Sequence, residues 1–197
     1  MQNPKALSFD AQAHAYAWRG QQVPGVTRAL QPFKAYDFVD QDTLAAAALF
    51  GQHVHEAVDL FNRNELDLSS LTVAVAAYLA GWERFLDESG FVVVESEARV
   101  YHPKMHYAGT LDAVGQFPRK KDLALVDVKT GSTVPKTVGP QTAAYAEAWQ
   151  ASRRGRKPRR YCVHLGPDSY KLILLNDVLD FDVFKASLLL HRWQTGE

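Results

Sequence analysis

Three residues near the middle of the chain have side chains suited to chemistry on a charged substrate. Asp112 closes the run Gly109-Thr110-Leu111-Asp112, and Asp127 and Lys129 lie in Leu125-Val126-Asp127-Val128-Lys129-Thr130-Gly131. Successive side chains of a strand point to opposite faces. Asp127 and Lys129 therefore share a face, while Val126 and Val128 point the other way, into a core. Uncompensated charge on a buried strand is costly, and a bound cation would compensate it. Asp127 is expected to hold that metal. Lys129 is expected to face an attacked phosphate, where it neutralises developing charge and orients or deprotonates the water. Asp112, at the end of a short strand Ala108–Leu111, adds a second carboxylate, and oxygen is the ligand that magnesium demands. The expected chemistry is metal-dependent phosphodiester cleavage. The competing reading is two unrelated surface carboxylates, against which stands the turn Pro118-Arg119-Lys120-Lys121-Asp122, placed where it would separate two strands.

The elements that must position these groups can be read from periodicity. Pro140 suits the first turn of a helix, and Gln141 and Tyr145, four apart, face the same way on it. The glutamine can donate and accept near the lysine, and the tyrosine can donate to a phosphate; an ordinary amphipathic helix is the alternative. A helix capped by Asp42 or Thr43 and running to about Asn62 would place Leu44, Ala48, Gly51, His55 and Val58 on one face. His55 then projects beside the small Gly51, although a lone histidine on an apolar face is often a satisfied core residue. Ser69 or Ser70 is expected to cap a second helix to about Glu88, ended by Gly90. Phe91 to Tyr101 reads as a strand with Phe91, Val93, Glu95, Glu97, Arg99 and Tyr101 on one face. The role of Glu97 stays open between a metal, the surroundings of a metal, and Arg99. Leu7 to Trp18 reads as a hairpin leading to a short helix capped by Thr27. Residues 161–165 and 170–174 read as a second hairpin, and Val178 to Trp193 as a closing helix.

Gly-Thr-Leu-Asp, then Asp-Val-Lys-Thr-Gly, then Gln-x-x-x-Tyr resembles the PD-(D/E)XK nuclease superfamily, in particular its RecB-type branch with small phage-type exonucleases. The resemblance implies an α/β fold, a restriction-endonuclease-like core in which a mixed central β-sheet of four or five strands is flanked by α-helices. It implies Asp112 and Asp127 as metal carboxylates and Lys129 as the catalytic lysine, with Gln141 and Tyr145 completing the set. Asp127 stands where glutamate is commoner in the wider superfamily. Gly51-Gln52-His53-Val54-His55-Glu56 is similar to a Gly-Thr-x-x-His-Glu element of that branch, with Gln52 in place of threonine, and so His55 rather than His53 is the implied ligand. The implied metal set is His55, Asp112, Asp127 and the Val128 carbonyl, and Glu97 matches a glutamate that precedes Gly-Thr-Leu-Asp in relatives. The metal is expected to be Mg²⁺, or Mn²⁺, which an imidazole ligand favours.

Composition sets bounds on these expectations. A chain of 197 residues suits one nuclease domain over 1–197, with 1–40 as an N-terminal hairpin and short helix and 41–197 as the core. Hydrophobic residues make up 47% and charged residues 22%, with no apolar run long enough to span a membrane. The N-terminus lacks the apolar core of a signal peptide, and Cys162 is the one cysteine. A cytoplasmic, non-secreted protein without internal disulfide or four-cysteine iron–sulfur cluster is expected. Net charge is zero, yet residues 1 to 100 hold 7 basic and 13 acidic residues and residues 101 to 197 hold 15 and 9. Arg153, Arg154, Arg156 and Lys157 form the densest basic run, either a phosphate contact or a solvated turn. The expected partner is DNA, single-stranded or end-containing, and the expected activity exonucleolytic. A non-catalytic DNA-binding or end-sensing module, or a structural component of a repair or replication assembly, is the alternative.

Overall fold

The computed structural model describes residues 6–31, 40–153 and 155–196. Its centre is a five-stranded sheet in the order β4-β5-β6-β7-β8, formed by Val92–His102, Tyr107–Gln116, Ala124–Lys129, Arg159–Gly166 and Ser169–Leu175. The sheet is mixed. β4, β5 and β6 pair antiparallel, β6 and β7 pair parallel, and β7 and β8 close as an antiparallel hairpin. A parallel pair needs a crossover, supplied here by helix α4, Val138–Arg153. Helices α2 (Gln41–Asn62) and α3 (Val73–Ser89) cover one face, while α4, the short α1 (Val26–Ala29) and α5 (Asp180–Thr195) cover the other. The expected α/β core with helices on both faces is what the chain adopts.

Each face has its own apolar core. Val54, Ala57, Val58, Val75, Leu79, Trp82 and Phe85 of α2 and α3 pack on Val126, Val128, Val163 and Leu165. Ala144, Tyr145, Ala148 and Trp149 of α4, with Phe184 and Leu188 of α5, pack on Ala98, Val100, Leu111, Val114 and Leu125. The alternation of Leu125 against Val126 and Val128 therefore separates the two cores, as strand geometry requires.

A second, three-stranded sheet, β1 (Leu7–Asp10), β2 (Ala15–Trp18) and β3 (Gln21–Val23), adds a strand to the expected hairpin. Arg19 and Gly20, at φ 52° and 81°, make the tight turn between β2 and β3. This sheet rests on the end of β4–β5, where Trp18 stacks on Tyr101 with centroids 4.2 Å apart. Ala108 also donates its N–H to the Pro24 carbonyl.

Several boundaries differ from expectation. Gly25 rather than Thr27 precedes α1, without a side-chain cap. Asp40 caps α2 by accepting from the Thr43 N–H, so Asp42 and Thr43 fall inside the first turn. Thr72 caps α3, because Ser69 and Ser70 belong to a 3₁₀ turn capped by Asp67. Helix α4 starts at Val138, two residues before Pro140, which its first turn still tolerates. The packed stripe of α2 is Val54, Ala57 and Val58, with Ala48 exposed and His55 on the flank.

Gly81 of α3 shows how tightly the β7–β8 hairpin is held. A Cβ built there would lie 2.4 Å from the Ser169 carbonyl oxygen and 2.9 Å from that of Gly166. Replacing a helical glycine by alanine ordinarily stabilises by about 1 kcal/mol. Here the sign should reverse: Gly81→Ala should destabilise by about 1–3 kcal/mol, the cost of overpacking, read as a lowered denaturant midpoint.

Candidate active site

The site forms where the β4–β5 ladder is interrupted. Ser96 pairs with Ala113 and Ala98 with Leu111, leaving Glu97 opposite Asp112, with Glu97 at φ 48°. In a regular strand Leu111 and Ala113 would share a face. Here Leu111 packs under α4 and Ala113 under α2 and α3. On β4, Ala98 packs under α4, whereas Ser96 bonds Asn62 of α2. Both strands therefore switch faces at the same level, and each carries a carboxylate at the switch. Asp112 lies in the middle of β5, not at the end of a short strand as the sequence suggests. A further register shift between Val93 and Glu95 also corrects the expected face of β4. Phe91 and Val93 pack toward α3, but Glu95 pairs with Arg153 of α4 on the other side.

Beside this interruption β5 and β6 part. Their ladder runs from Gly115–Ala124 to Ala113–Val126. Beyond it the Val128 N–H is taken by Asp112 Oδ2 at 2.6 Å. The other oxygen, Oδ1, lies 3.4 Å from His55 Nδ1. Ligand atoms of His55, Glu97 and Asp112 all lie within 4.8 Å of one another. Gly51, one turn before His55, admits the close approach of α2: a Cβ there would be 3.3 Å from Thr130 Oγ1.

Asp127 and Lys129 stand next to this group, on the face away from Val126 and Val128. Lys129 Nζ lies 2.6 Å from Asp127 Oδ2 and donates to the Val128 carbonyl at 3.3 Å. Asp127 is 2% exposed, and its Oδ2 has no hydrogen-bond partner of adequate geometry, only this charge contact. On α4, Gln141 Nε2 donates to the Tyr145 hydroxyl at 3.2 Å. Tyr145 is buried, and its ring lies against Gly109, where a Cβ would be 2.4 Å from Cε1. The glycine of Gly-Thr-Leu-Asp is thus the space that Tyr145 occupies.

Residues 29–175 match the model of the PD-(D/E)XK nuclease superfamily. The chain belongs to this superfamily. No curated protein matches it. Among solved structures, a candidate exonuclease from Eubacterium rectale is similar in fold, with a TM-score of 0.50 and 12% identity over 75% of this chain and 68% of that one. LHK-Exo in complex with dAMP has a TM-score of 0.45 and 13% identity over 87% of both chains. The alkaline exonuclease LHK-Exo of Laribacter hongkongensis, in another structure, has a TM-score of 0.38 and 14% identity over 73% of this chain and 78% of that one.

The charges in this candidate site act on one another at close range. Burial opposes ionisation of Asp112, but His55, Lys129 and the Val128 N–H outweigh it and hold the carboxyl below its usual range. Burial likewise opposes charge on His55, and Asp112 overcomes it, so the imidazole is raised. At Asp127 burial dominates and pushes the carboxyl up to about 6, against the Lys129 ammonium and with the help of Asp112. Lys129 is raised because Asp127 and Asp112 outweigh its burial. The neighbouring carboxylates thus favour the charged form of the lysine, while burial works against the charged form of Asp127. Partial desolvation, then the charges of Asp112 and Asp59, pushes Glu97 up to about 7, although its side chain still meets water.

The structure therefore gathers His55, Asp112, Asp127, Val128, Lys129 and Glu97, with Gln141 and Tyr145 behind them. It does not bring the basic run to them. Arg159 is level with Ala124, Cys162 with Asp127 and His164 with Lys129, so the run precedes β7 at the opposite end of the strands, about 10 Å along them from the level of Asp127 and about 17 Å from that of Lys129. Arg153 pairs with Glu95, Arg156 with Asp122 and Lys157 with Glu147; Arg154 lies outside the described residues. Asp59, one turn after His55 on α2, is a carboxylate that sequence reasoning passed over. Its Oδ1 is buried without a hydrogen-bond partner, while Oδ2 pairs with Arg63. The helical step of four from His55 was the signal for it.

The donor set, carboxylate oxygens with one imidazole and an orphaned carboxylate oxygen beside them, fits a divalent cation. His53 is exposed and two residues from the flank that carries His55. In a calorimetric Mn²⁺ titration, His55→Ala should weaken binding about tenfold or more, a loss in the range seen for outer metal-site partners. His53→Ala should leave binding unchanged.

Proposed function

We propose that this member of the nuclease superfamily is a divalent-metal-dependent DNA exonuclease, acting in DNA repair, recombination or phage DNA processing. The observation that carries the reading is the convergence of the His55–Glu97–Asp112 ligand atoms beside the buried Asp127–Lys129 pair. His55, Asp112, Asp127 and the Val128 carbonyl would hold Mg²⁺ or Mn²⁺, with Glu97 within reach of the same cation. When bound, that cation supplies Lewis acidity toward a phosphate oxygen and lowers the pKa of a water.

The protein's own groups do the rest. Lys129, kept charged by Asp127 and Asp112, presents an ammonium to the phosphate as negative charge builds on its oxygens. Asp127 holds that ammonium in place and Asp112 fixes His55. Gln141, whose amide donates to the Tyr145 hydroxyl, would orient water or phosphate by hydrogen bonding. Attack by water in line with the leaving oxygen then depends on positioning and on fixed charge. Retention of Asp112, Asp127 and Lys129 together favours an enzyme over a DNA-binding module that has lost catalysis. The lone, buried Cys162 suits a reducing compartment such as the cytoplasm. No helix among the described residues is long and apolar enough to cross a membrane.

The substrate reading is single-stranded or end-containing DNA. The sheet β1–β3 and the helix bearing His55 flank the site and would enclose a strand led in by its end. Linear DNA should be shortened progressively with Mg²⁺ or Mn²⁺ and left intact with EDTA, while covalently closed single-stranded circles of the same sequence survive. Rapid loss of the circles would replace the exonuclease reading with an endonuclease. Lys129→Ala should lower turnover on the order of a hundredfold or more with folding and DNA binding retained. Near-normal turnover in that variant would overturn the assignment of the lysine.

A further inference from the structure

The cations of this chain differ in what surrounds them. Arg153, Arg156, Lys157 and Arg160 each have a carboxylate partner. Arg99 has none: among the described residues no carboxylate lies within ion-pair distance of it, and it makes no hydrogen bond through its side chain. Its side chain is exposed, and its guanidinium lies over the Phe9 ring of β1, 5.3 Å from the centroid.

Its position is set by the same ladder that makes the site. Arg99 is opposite Thr110, two residues along the strands from Glu97 and from Asp112. Two residues of strand span about 7 Å, a reach comparable to one nucleotide of an extended single strand. Thr110 Oγ1 in turn shares a hydrogen bond of 2.8 Å with the Tyr16 hydroxyl of β2. The small sheet that carries Phe9 is therefore tied to β5 beside the arginine. A guanidinium held over an aromatic ring and without an ion-pair partner has N–H groups free to meet two phosphate oxygens in a fork.

We propose that Arg99, seated on Phe9, is a phosphate-binding subsite for the nucleotide adjacent to the scissile bond, which leads a single-stranded polynucleotide past the β1–β3 sheet. It deepens the nuclease reading and rests on it for the direction of the strand. Arg99 and Phe9 position the substrate; the chemistry belongs to the groups around Asp112 and Lys129. Arg153, Arg156 and Lys157 of the basic run, each paired with a carboxylate toward the far end of the sheet, contribute no comparable contact.

The test is equilibrium binding of fluorescein-labelled oligothymidylate in EDTA, followed by anisotropy over a series of salt concentrations. Arg99→Gln should weaken binding about tenfold at low salt and reduce the slope of log affinity against log salt by about 0.7, the loss of one phosphate contact on a single strand. Arg99→Lys should restore the slope while recovering only part of the affinity, since a point charge lacks the fork. Phe9→Leu should weaken binding with the slope unchanged. Arg156→Gln should change neither quantity. Thermal melts matched to the parent protein show that each variant is folded. An unchanged slope and affinity in folded Arg99→Gln, equal losses in Arg99→Gln and Arg156→Gln, or a parent protein that does not bind the oligomer would each overturn the subsite. Binding that depends on Arg99 in a protein that cleaves no DNA with Mg²⁺ or Mn²⁺ would retire the nuclease reading and leave the subsite standing.

Discussion

Asp112 accepts the backbone N–H of Val128 at 2.6 Å, and the geometry around it follows from that bond. A strand pair that parts in the interior leaves amides without partners, and a buried amide must be satisfied. Asp112 satisfies one with a side chain, so β5 and β6 can diverge where the β4–β5 ladder switches faces. The same carboxylate directs its second oxygen at His55. One residue thereby locks the strand opening, the imidazole and the position of negative charge. An asparagine could accept the same amide, but it would remove the charge that raises both His55 and Lys129.

Concentrating charge in this opening conflicts with stability. Asp127 is buried with an oxygen that lacks a proper hydrogen-bond partner, and its carboxyl is pushed up to about 6. Glu97 is pushed up to about 7. A structural ion pair would be expected to satisfy its atoms. Groups left under-compensated in this way, in an opening between strands, are the pattern of a binding site for cation and anion together. The scaffold around them is rigid where it must be: Tyr145 fills the space above Gly109, and α2 comes close to Thr130 at Gly51.

The distribution of charge in the fold is not the distribution along the chain. The first half is acidic and the second basic, but Arg153 of the second half pairs with Glu95 of the first. Arg156 and Lys157 meet Asp122 and Glu147 within the second half. Arg153, Arg156 and Lys157 of the densest basic run are thus engaged in ion pairs toward the end of β6 and β7 remote from Lys129. Arg99, from the acidic half, has no ion-pair partner among the described residues and lies two strand residues from Glu97.

Alternation and helical spacing were enough to assign the strands on either side of Asp127, the hairpins, the crossover helix and the helix that carries His55. These are properties of neighbours in sequence, set by backbone geometry. The pairing of Asp127 with Lys129 followed from the same period of two. The same helical spacing put His55 on the apolar face of α2, whereas packing turns Val54, Ala57 and Val58 inward and leaves His55 on the flank. The face switch of β4 and β5 could not be read this way. It requires an irregularity in both strands at one level, and nothing in either segment alone marks Glu97 and Asp112 as opposite each other. The fate of the basic run was equally invisible, because its partners Glu95, Asp122 and Glu147 are brought to it by three different elements. Asp59, with no motif around it, joined the site through helix packing. Residue chemistry and local period were written in the chain; which carboxylates share one opening, and which cations are already neutralised, was decided only when distant strands and helices packed together.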